Sequence, residues 1–263
     1  MSLTERMTRV YLNYQQAILG VAGLSVFLAL WEWVGTSGLI NPLFVSSPSA
    51  IWRAGVKMFS TGDIWNDLAV SGTEFVIGFG LSIVVGIPLG MLIGWYRTAN
   101  YLLNPFVSAL NAMPRVALLP LLIIWFGIGM GSKVAIVFLG AIFPLVLNTF
   151  SGVRTMDEQL LRAARSFGAN DSQIFRTIAL PSSVPFILAG LRLGLGRSLV
   201  GIVVGELVAA TAGIGYIMAI AGATFQTDKL FVGIFIITGV GVVLTAALDA
   251  LERRFEAWRP RRM

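Results

Sequence analysis

Residues 157–181 read DEQLLRAARSFGANDSQIFRTIALP and separate two long apolar segments of this 263-residue chain. Apolar side chains recur at helical spacing in the first half of this stretch, at Leu160, Leu161, Ala164 and Phe167. The spacing predicts a short helix with one apolar face, which Gly168 ends. Asn170 is a good N-cap for a second helix, and Pro181 and Pro185 predict its end just before the next apolar segment.

The second predicted helix carries Ile174, Phe175 and Ile178. Two amphipathic helices joined at a glycine present an apolar stripe that an isolated membrane protein gains nothing by exposing. Such a stripe is typical of a surface that docks into a groove on a partner protein. Packing of the two helices on the membrane surface, or on the rest of the chain, explains the same stripe equally well.

Composition indicates an integral membrane protein. The hydrophobic share is 56%, the charged share is 12% and the mean hydropathy is +0.82, whereas a soluble domain carries about 25% charged residues. These values exclude disorder and an ordinary water-soluble enzyme. The chain has no cysteine and no histidine, so it lacks thiolate ligands and the commonest metal ligand and general base. We therefore expect neither a metal site nor a catalytic residue.

Six segments are apolar enough to be membrane-spanning helices, since about 20 such residues cross the hydrocarbon core. They are residues 17–34, 68–95, 102–126, 134–150, 184–210 and 230–248. The predicted fold class is therefore all-α and polytopic. Two further segments are too short to span. Residues 47–59 predict an amphipathic helix on the outer surface, and residues 213–225 predict either a re-entrant segment buried in protein or a surface helix.

Basic residues predict the orientation of these helices. If both termini are cytoplasmic, twelve Lys and Arg residues lie inside and four outside, in keeping with the positive-inside rule. The outer residues are Arg53, Lys57, Lys133 and Lys229. The inner residues are Arg6, Arg9, Arg97, Arg154, Arg162, Arg165, Arg176, Arg253, Arg254, Arg259, Arg261 and Arg262. The net charge of +6 then reflects topology and anionic lipid headgroups rather than nucleic acid.

Three charged residues inside the predicted spans are candidates for a translocation pathway: Arg115, Arg197 and Glu206. A charge at membrane depth is costly, so such residues normally face the bundle interior or water. Arg115 and Arg197 would make a path attractive to a small anion, because guanidinium groups bind such anions well. Pairing with Glu206, Glu74 or helix carbonyls is the structural alternative.

Residues 157–181 resemble the EAA loop of bacterial ABC importer permeases, whose pattern is E-A-A, three residues, G, nine residues, I-x-L-P. Six residues fall on this pattern: Ala163, Ala164, Gly168, Ile178, Leu180 and Pro181. Arg162 replaces the leading Glu. Four other stretches resemble permeases of nitrate, sulfonate, taurine and bicarbonate importers: residues 46–50, 118–133, 190–206 and 211–216.

The resemblance implies a type I ABC importer permease fold in one transmembrane domain, residues 1–263. Residues 1–66 would hold the N-terminal helix and the outer interfacial helix, residues 67–250 the permease core, and residues 157–181 the cytoplasmic coupling loop. It also implies two copies of an ATPase subunit, a periplasmic or lipid-anchored substrate-binding protein and a second copy of the permease. The location would be the bacterial inner membrane.

The chain would then be a non-catalytic subunit. It contains no G-x-x-x-x-G-K-[ST] sequence, so ATP and Mg²⁺ would bind to the ATPase and not here. We expect Phe167, Gly168 and Phe175 to contact that ATPase and to transmit its motion to the fourth and fifth spans. The alternatives are an ATP-independent secondary transporter or channel, an intramembrane enzyme, and a scaffold subunit.

Overall fold

The computed structural model describes residues 3–41 and 43–254, and their side chains from residue 15 onward. Eleven α-helices occur in this part of the chain: α1 (Leu3–Thr36), α2 (Pro48–Thr61), α3 (Asp63–Trp95), α4 (Arg97–Ala112), α5 (Leu119–Phe126), α6 (Met130–Arg154), α7 (Glu158–Ser166), α8 (Asp171–Ile174), α9 (Leu180–Ala209), α10 (Ile214–Ala223) and α11 (Thr227–Arg254). A 3₁₀ turn, Arg115–Leu118, precedes α5, and a π-helical turn, Phe175–Ala179, joins α8 to α9. The predicted all-α class is confirmed.

Five helical runs are long and apolar enough to cross a membrane: Gln15–Thr36, Asp63–Trp95, Met130–Arg154, Asp171–Ala209 and Thr227–Arg254. The sixth predicted span, residues 102–126, is not one straight helix, because α4 and α5 meet at an angle of 92°. Pro114 stands at the bend with an extended ψ of 99°, and Met113 before it has ψ 135°. A proline disfavours the helical conformation of the preceding residue, which explains the break.

The chain divides into two compact units. One contains the residues up to Asp63 together with Ile220–Val232, and the other contains Ile64–Ala219 and the residues from Gly233. Within the first, the predicted amphipathic helix is α2, which buries Ile51, Ala54 and Met58. Of the predicted inner basic residues, the side chains of Arg6 and Arg9 and the whole of Arg259, Arg261 and Arg262 lie outside the described residues.

In the second unit, small residues let α3, α6 and α9 approach closely. A Cβ added at Gly78 of α3 would lie 2.7 Å from the carbonyl oxygen of Val134 in α6. One added at Gly140 of α6 would lie 3.1 Å from the carbonyl oxygen of Arg197 in α9. The repeated glycines therefore act in close helix packing, which replaces the hydrophobic driving force that lipid does not supply between helices.

Gly90 of α3 offers a test of this packing. An alanine Cβ there would lie 2.6 Å from the Val146 carbonyl oxygen and 2.7 Å from Thr149 Cβ. We expect Gly90→Ala to lower the free energy of unfolding by about 1–3 kcal/mol, as overpacked cores do, measured by thermal unfolding in detergent. Gly80→Ala on the same helix is the matched control, because nothing lies within 4 Å of its added Cβ. Equal stability of the two variants would contradict the packing role.

Candidate functional site

The loop of residues 157–181 begins with a firmly capped helix. The Asp157 carboxylate accepts a hydrogen bond from the backbone N–H of Gln159 at 2.7 Å, at the start of α7. At the other end, the Gly168 N–H donates to the Arg165 carbonyl at 2.9 Å and the Ala169 N–H donates to the Ala164 carbonyl at 3.0 Å. This is a Schellman motif, and Gly168 takes the left-handed φ of +81° that it requires. The predicted end of the helix at Gly168 is confirmed.

Two large apolar side chains in the first half of the loop face outward. Phe167 is 92% exposed and Leu160 is 56% exposed, whereas Leu161 and Ala164 are half-buried. The predicted apolar face is therefore divided between packing on the chain and exposure. A phenylalanine so exposed, held directly before a fixed turn, is a feature of interaction surfaces.

The prediction that Pro181 and Pro185 end the second helix is wrong. Asn170 and Gln173 form a capping box, each side chain accepting from the other's backbone N–H at 2.9 Å, and the helical run then continues from Asp171 to Ala209. Proline has no backbone N–H to donate to the preceding helical turn, and the wider π turn before Pro181 accommodates this missing hydrogen bond. The hydroxyl of Ser183 also donates to the Ala179 carbonyl at 2.7 Å.

The proposed coupling residues differ in their surroundings. Four are exposed: Ala163, Phe167, Gly168 and Leu180. Four are half-buried: Ala164, Phe175, Ile178 and Pro181. Phe175 packs edge-on against Trp95 at the end of α3, with ring centroids 5.3 Å apart. Phe175 therefore joins the loop to α3 within the chain.

A second candidate site forms where the α4–α5 bend meets α6 and α9. Arg115 Nη2 donates to Asn111 Oδ1 at 2.9 Å and to the Asn111 carbonyl oxygen at 3.2 Å. The Arg115 guanidinium also lies 5.5 Å from the centre of the Phe143 ring. Arg197 Nη1 makes a longer contact, 3.5 Å, with the same Asn111 Oδ1. Two guanidinium groups thus converge on one neutral amide oxygen.

Asn111, Arg115 and Arg197 line a cavity of about 470 Å³. Its other lining residues are Met113, Pro114, Val116, Ile136, Gly140, Gly196, Val200 and Gly201. Neither Arg115 nor Arg197 forms an ion pair with a carboxylate among the described residues. Arg115 bonds to a helix carbonyl, as the structural alternative allows, and in the part of the chain that the structure describes neither arginine pairs with Glu206 or Glu74. Asn111, which the sequence did not indicate, lies four residues before Arg115, on the other side of the break at Met113 and Pro114.

Glu206 lies apart from that cavity, in a buried hydrogen-bond network. Its Oε1 accepts from the Ser71 hydroxyl at 2.5 Å and its Oε2 accepts from the Gly215 N–H at 2.6 Å. The two preceding backbone donors are also satisfied, Gly213 by Asp67 at 2.6 Å and Ile214 by Ser71 at 2.9 Å. The segment predicted over residues 213–225 thus starts buried in protein, as the re-entrant alternative requires.

Lys133, one of the basic residues predicted on the outer side, lies buried at the start of α6. Its side chain is 4% exposed, and its Nζ lies 3.1 Å from Oε1 of Glu74, which is 1% exposed. The helix α6 begins at Met130, before the predicted start of the fourth span at residue 134, so Lys133 falls in the first turn of a packed helix. An acidic residue inside an apolar span needs a cationic partner. Glu74 could therefore have been predicted to pair with a basic residue, although the sequence does not say which one.

The comparisons with known proteins agree with this architecture. Residues 86–257 match the family described as "Binding-protein-dependent transport system inner membrane component". The chain is 35% identical to the taurine transport system permease protein TauC of Escherichia coli, over 93% of this chain and 90% of that protein. It is 33% identical to the putative aliphatic sulfonates transport permease protein SsuC of Bacillus subtilis, over 89% of this chain and 85% of that protein.

Solved structures give the same fold. An inward-facing MetNI methionine ABC transporter matches with a TM-score of 0.58 and 21% identity, over 75% of this chain and 94% of that one. At that identity the match concerns the fold alone, which is that of a type I ABC importer permease. The predicted fold is confirmed.

Proposed function

Because the chain belongs to the family of binding-protein-dependent transport system inner membrane components, we propose that it is the permease subunit of an ATP-driven importer. It would pass a small organic or inorganic anion, of the sulfonate, nitrate, taurine or carboxylate class, from a substrate-binding protein to the cytoplasm. The names of the taurine and sulfonate relatives support this cargo class. The chain itself would hold no cofactor.

The exposed loop of residues 157–181 carries the proposal. Phe167 stands almost fully exposed on a capped helix, and a rigid apolar anchor of this kind fits a pocket on a partner protein. The partner would be a pair of ATPase subunits that bind ATP and Mg²⁺. Ala163, Ala164, Gly168, Phe175, Ile178, Leu180 and Pro181 would complete or support the docking surface.

The helical continuity behind the loop supports a mechanical role. The run from Asp171 to Ala209 is unbroken, so a push on the loop would act directly on the span that contains α9. The Phe175–Trp95 contact would carry the same push to α3. ATP-driven closure of the ATPase pair would thus switch the bundle between inward-facing and outward-facing arrangements. Packed helices suit such a switch, because their packing favours discrete arrangements over continuous deformation.

The wider assembly follows from the same proposal. The permease would pair with a second copy of itself in the bacterial inner membrane, surrounded by lipid, and would receive cargo from a periplasmic or lipid-anchored binding protein. Both termini would be cytoplasmic. Arg53, Lys57, Lys133 and Lys229 would then lie outside, fewer than the basic residues inside, in keeping with the positive-inside rule.

Uptake into proteoliposomes tests the proposal. The permease, its ATPase and its binding protein are reconstituted, and uptake of radiolabelled taurine and ethanesulfonate is measured with ATP, without ATP and with a non-hydrolysable analogue. We expect uptake of at least one of these probes only with hydrolysable ATP and the binding protein. Uptake at the same rate without ATP would contradict the proposal and favour a secondary transporter or channel.

A further inference from the structure

We infer that Asn111, Arg115 and Arg197 form an anion-binding site, and that this site prefers an organic anion without a positive charge, such as an alkylsulfonate or alkylcarboxylate, over a zwitterion such as taurine. The inference rests on the proposed function and narrows its cargo class. It follows from the charges, the unused donors and the lining of the cavity at the α4–α5 bend.

The cavity holds two positive charges and no negative one. Two guanidinium groups contact the same Oδ1 of Asn111, at 2.9 and 3.5 Å, and like charges brought this close repel each other. The residues that line the cavity include no Asp or Glu. An amide oxygen is neutral and offsets this repulsion only weakly. A bound anion would neutralise it, and charge-assisted hydrogen bonds to guanidinium groups are among the stronger ones in proteins.

Both guanidinium groups have hydrogen-bond donors that the described residues leave unused. Arg115 Nε is buried and has no hydrogen-bond partner among the described residues, and a buried unsatisfied donor is unusual in a native structure. Arg197 contributes a single long contact from a planar group with five N–H donors. A ligand with two or three acceptor oxygens on one centre would use these donors together. Carboxylate and sulfonate groups both have that form.

The lining of the cavity is apolar outside the three polar side chains. Apart from Asn111 and the two arginines, the cavity is lined by apolar side chains and glycines. An alkyl chain suits this lining. An ammonium group would find no carboxylate there and would face two guanidinium groups of its own sign. A site that lacks the partner for a polar group discriminates against ligands that carry one.

The test is a binding measurement on the full-length chain in nanodiscs of phosphatidylcholine, whose headgroup has no net charge. Radiolabelled ethanesulfonate is the probe, and unlabelled taurine and propionate are competitors. We expect ethanesulfonate to bind about 10-fold or more tightly than taurine, and propionate to compete. Arg197→Gln should weaken ethanesulfonate binding about 10-fold or more, a factor that corresponds to about 1.4 kcal/mol.

Arg53→Gln is the matched control, since Arg53 is an exposed residue of α2 that does not line the cavity; it should bind ethanesulfonate as the unmodified chain does. Arg115 also bonds to the end of α4 at Asn111, so Arg115→Gln would disturb the fold as well as the site. Arg197 is the better position for the test, because it is an exposed residue that lines the cavity. Arg197→Lys keeps the charge and should bind with intermediate affinity.

Two results would overturn the inference: unchanged ethanesulfonate binding in Arg197→Gln, or taurine binding as tightly as ethanesulfonate. The assay needs neither the ATPase nor the binding protein. Its failure therefore leaves ATP-driven uptake standing, and ATP-independent uptake would leave the anion site standing.

Discussion

Phe167→Ala is expected to weaken the association between this permease and its ATPase about 30-fold, and to reduce ATP-driven uptake accordingly. The factor corresponds to about 2 kcal/mol, the loss typical of a central aromatic anchor in an interface. Because the Phe167 side chain is 92% exposed, its removal takes almost no packing away from the chain itself. The measurement is ATPase binding to the permease in detergent, together with uptake in proteoliposomes.

The control for Phe167→Ala is Trp52→Ala. Trp52 is also an exposed aromatic residue, 75% exposed, but it lies on α2 and outside the loop. It should leave ATPase affinity unchanged, and thermal unfolding should show that both variants are as stable as the unmodified chain. If Phe167→Ala binds the ATPase with normal affinity, Phe167 is not part of the docking surface.

Local rules explain which features of the loop could be predicted. The end of α7 at Gly168 depends on a single residue that adopts a left-handed conformation, and the capping box at Asn170 depends on four consecutive residues. Such signals are readable from the sequence. The continuation past Pro181 was not, because a π turn accommodates the proline and serine hydroxyls bond to the preceding carbonyl.

The membrane spans follow from local sequence signals, whereas the sites within them depend on contacts between distant residues. The apolar length of five spans is a local property, and it predicted those membrane helices. The convergence of Arg115 and Arg197 on Asn111 joins residues 86 positions apart. Nothing in the spacing of the sequence indicates this meeting, since it depends on how α9 packs near the bend.

Lys133→Met should have the largest effect on stability. It leaves the Glu74 carboxylate without the cation that neutralises it, in a site where both side chains are at most 4% exposed. Breaking one side of a buried ion pair costs about 3–5 kcal/mol, because the remaining charge stays buried and uncompensated. Methionine is similar in length to lysine and apolar, so the change removes the charge with little change in volume. Unfolding in mixed detergent micelles measures the loss.

The double variant Glu74→Gln with Lys133→Met separates the charge from the packing. When both charges are removed together, no uncompensated ion remains, and replacement of a buried pair as a whole is often close to neutral. We therefore expect the double variant to recover most of the stability that Lys133→Met loses. Lys57→Met on α2, where the side chain is exposed, should change stability by less than about 0.5 kcal/mol. If the double variant is no more stable than Lys133→Met alone, the loss arises from packing around Lys133, and the buried pair does not account for it.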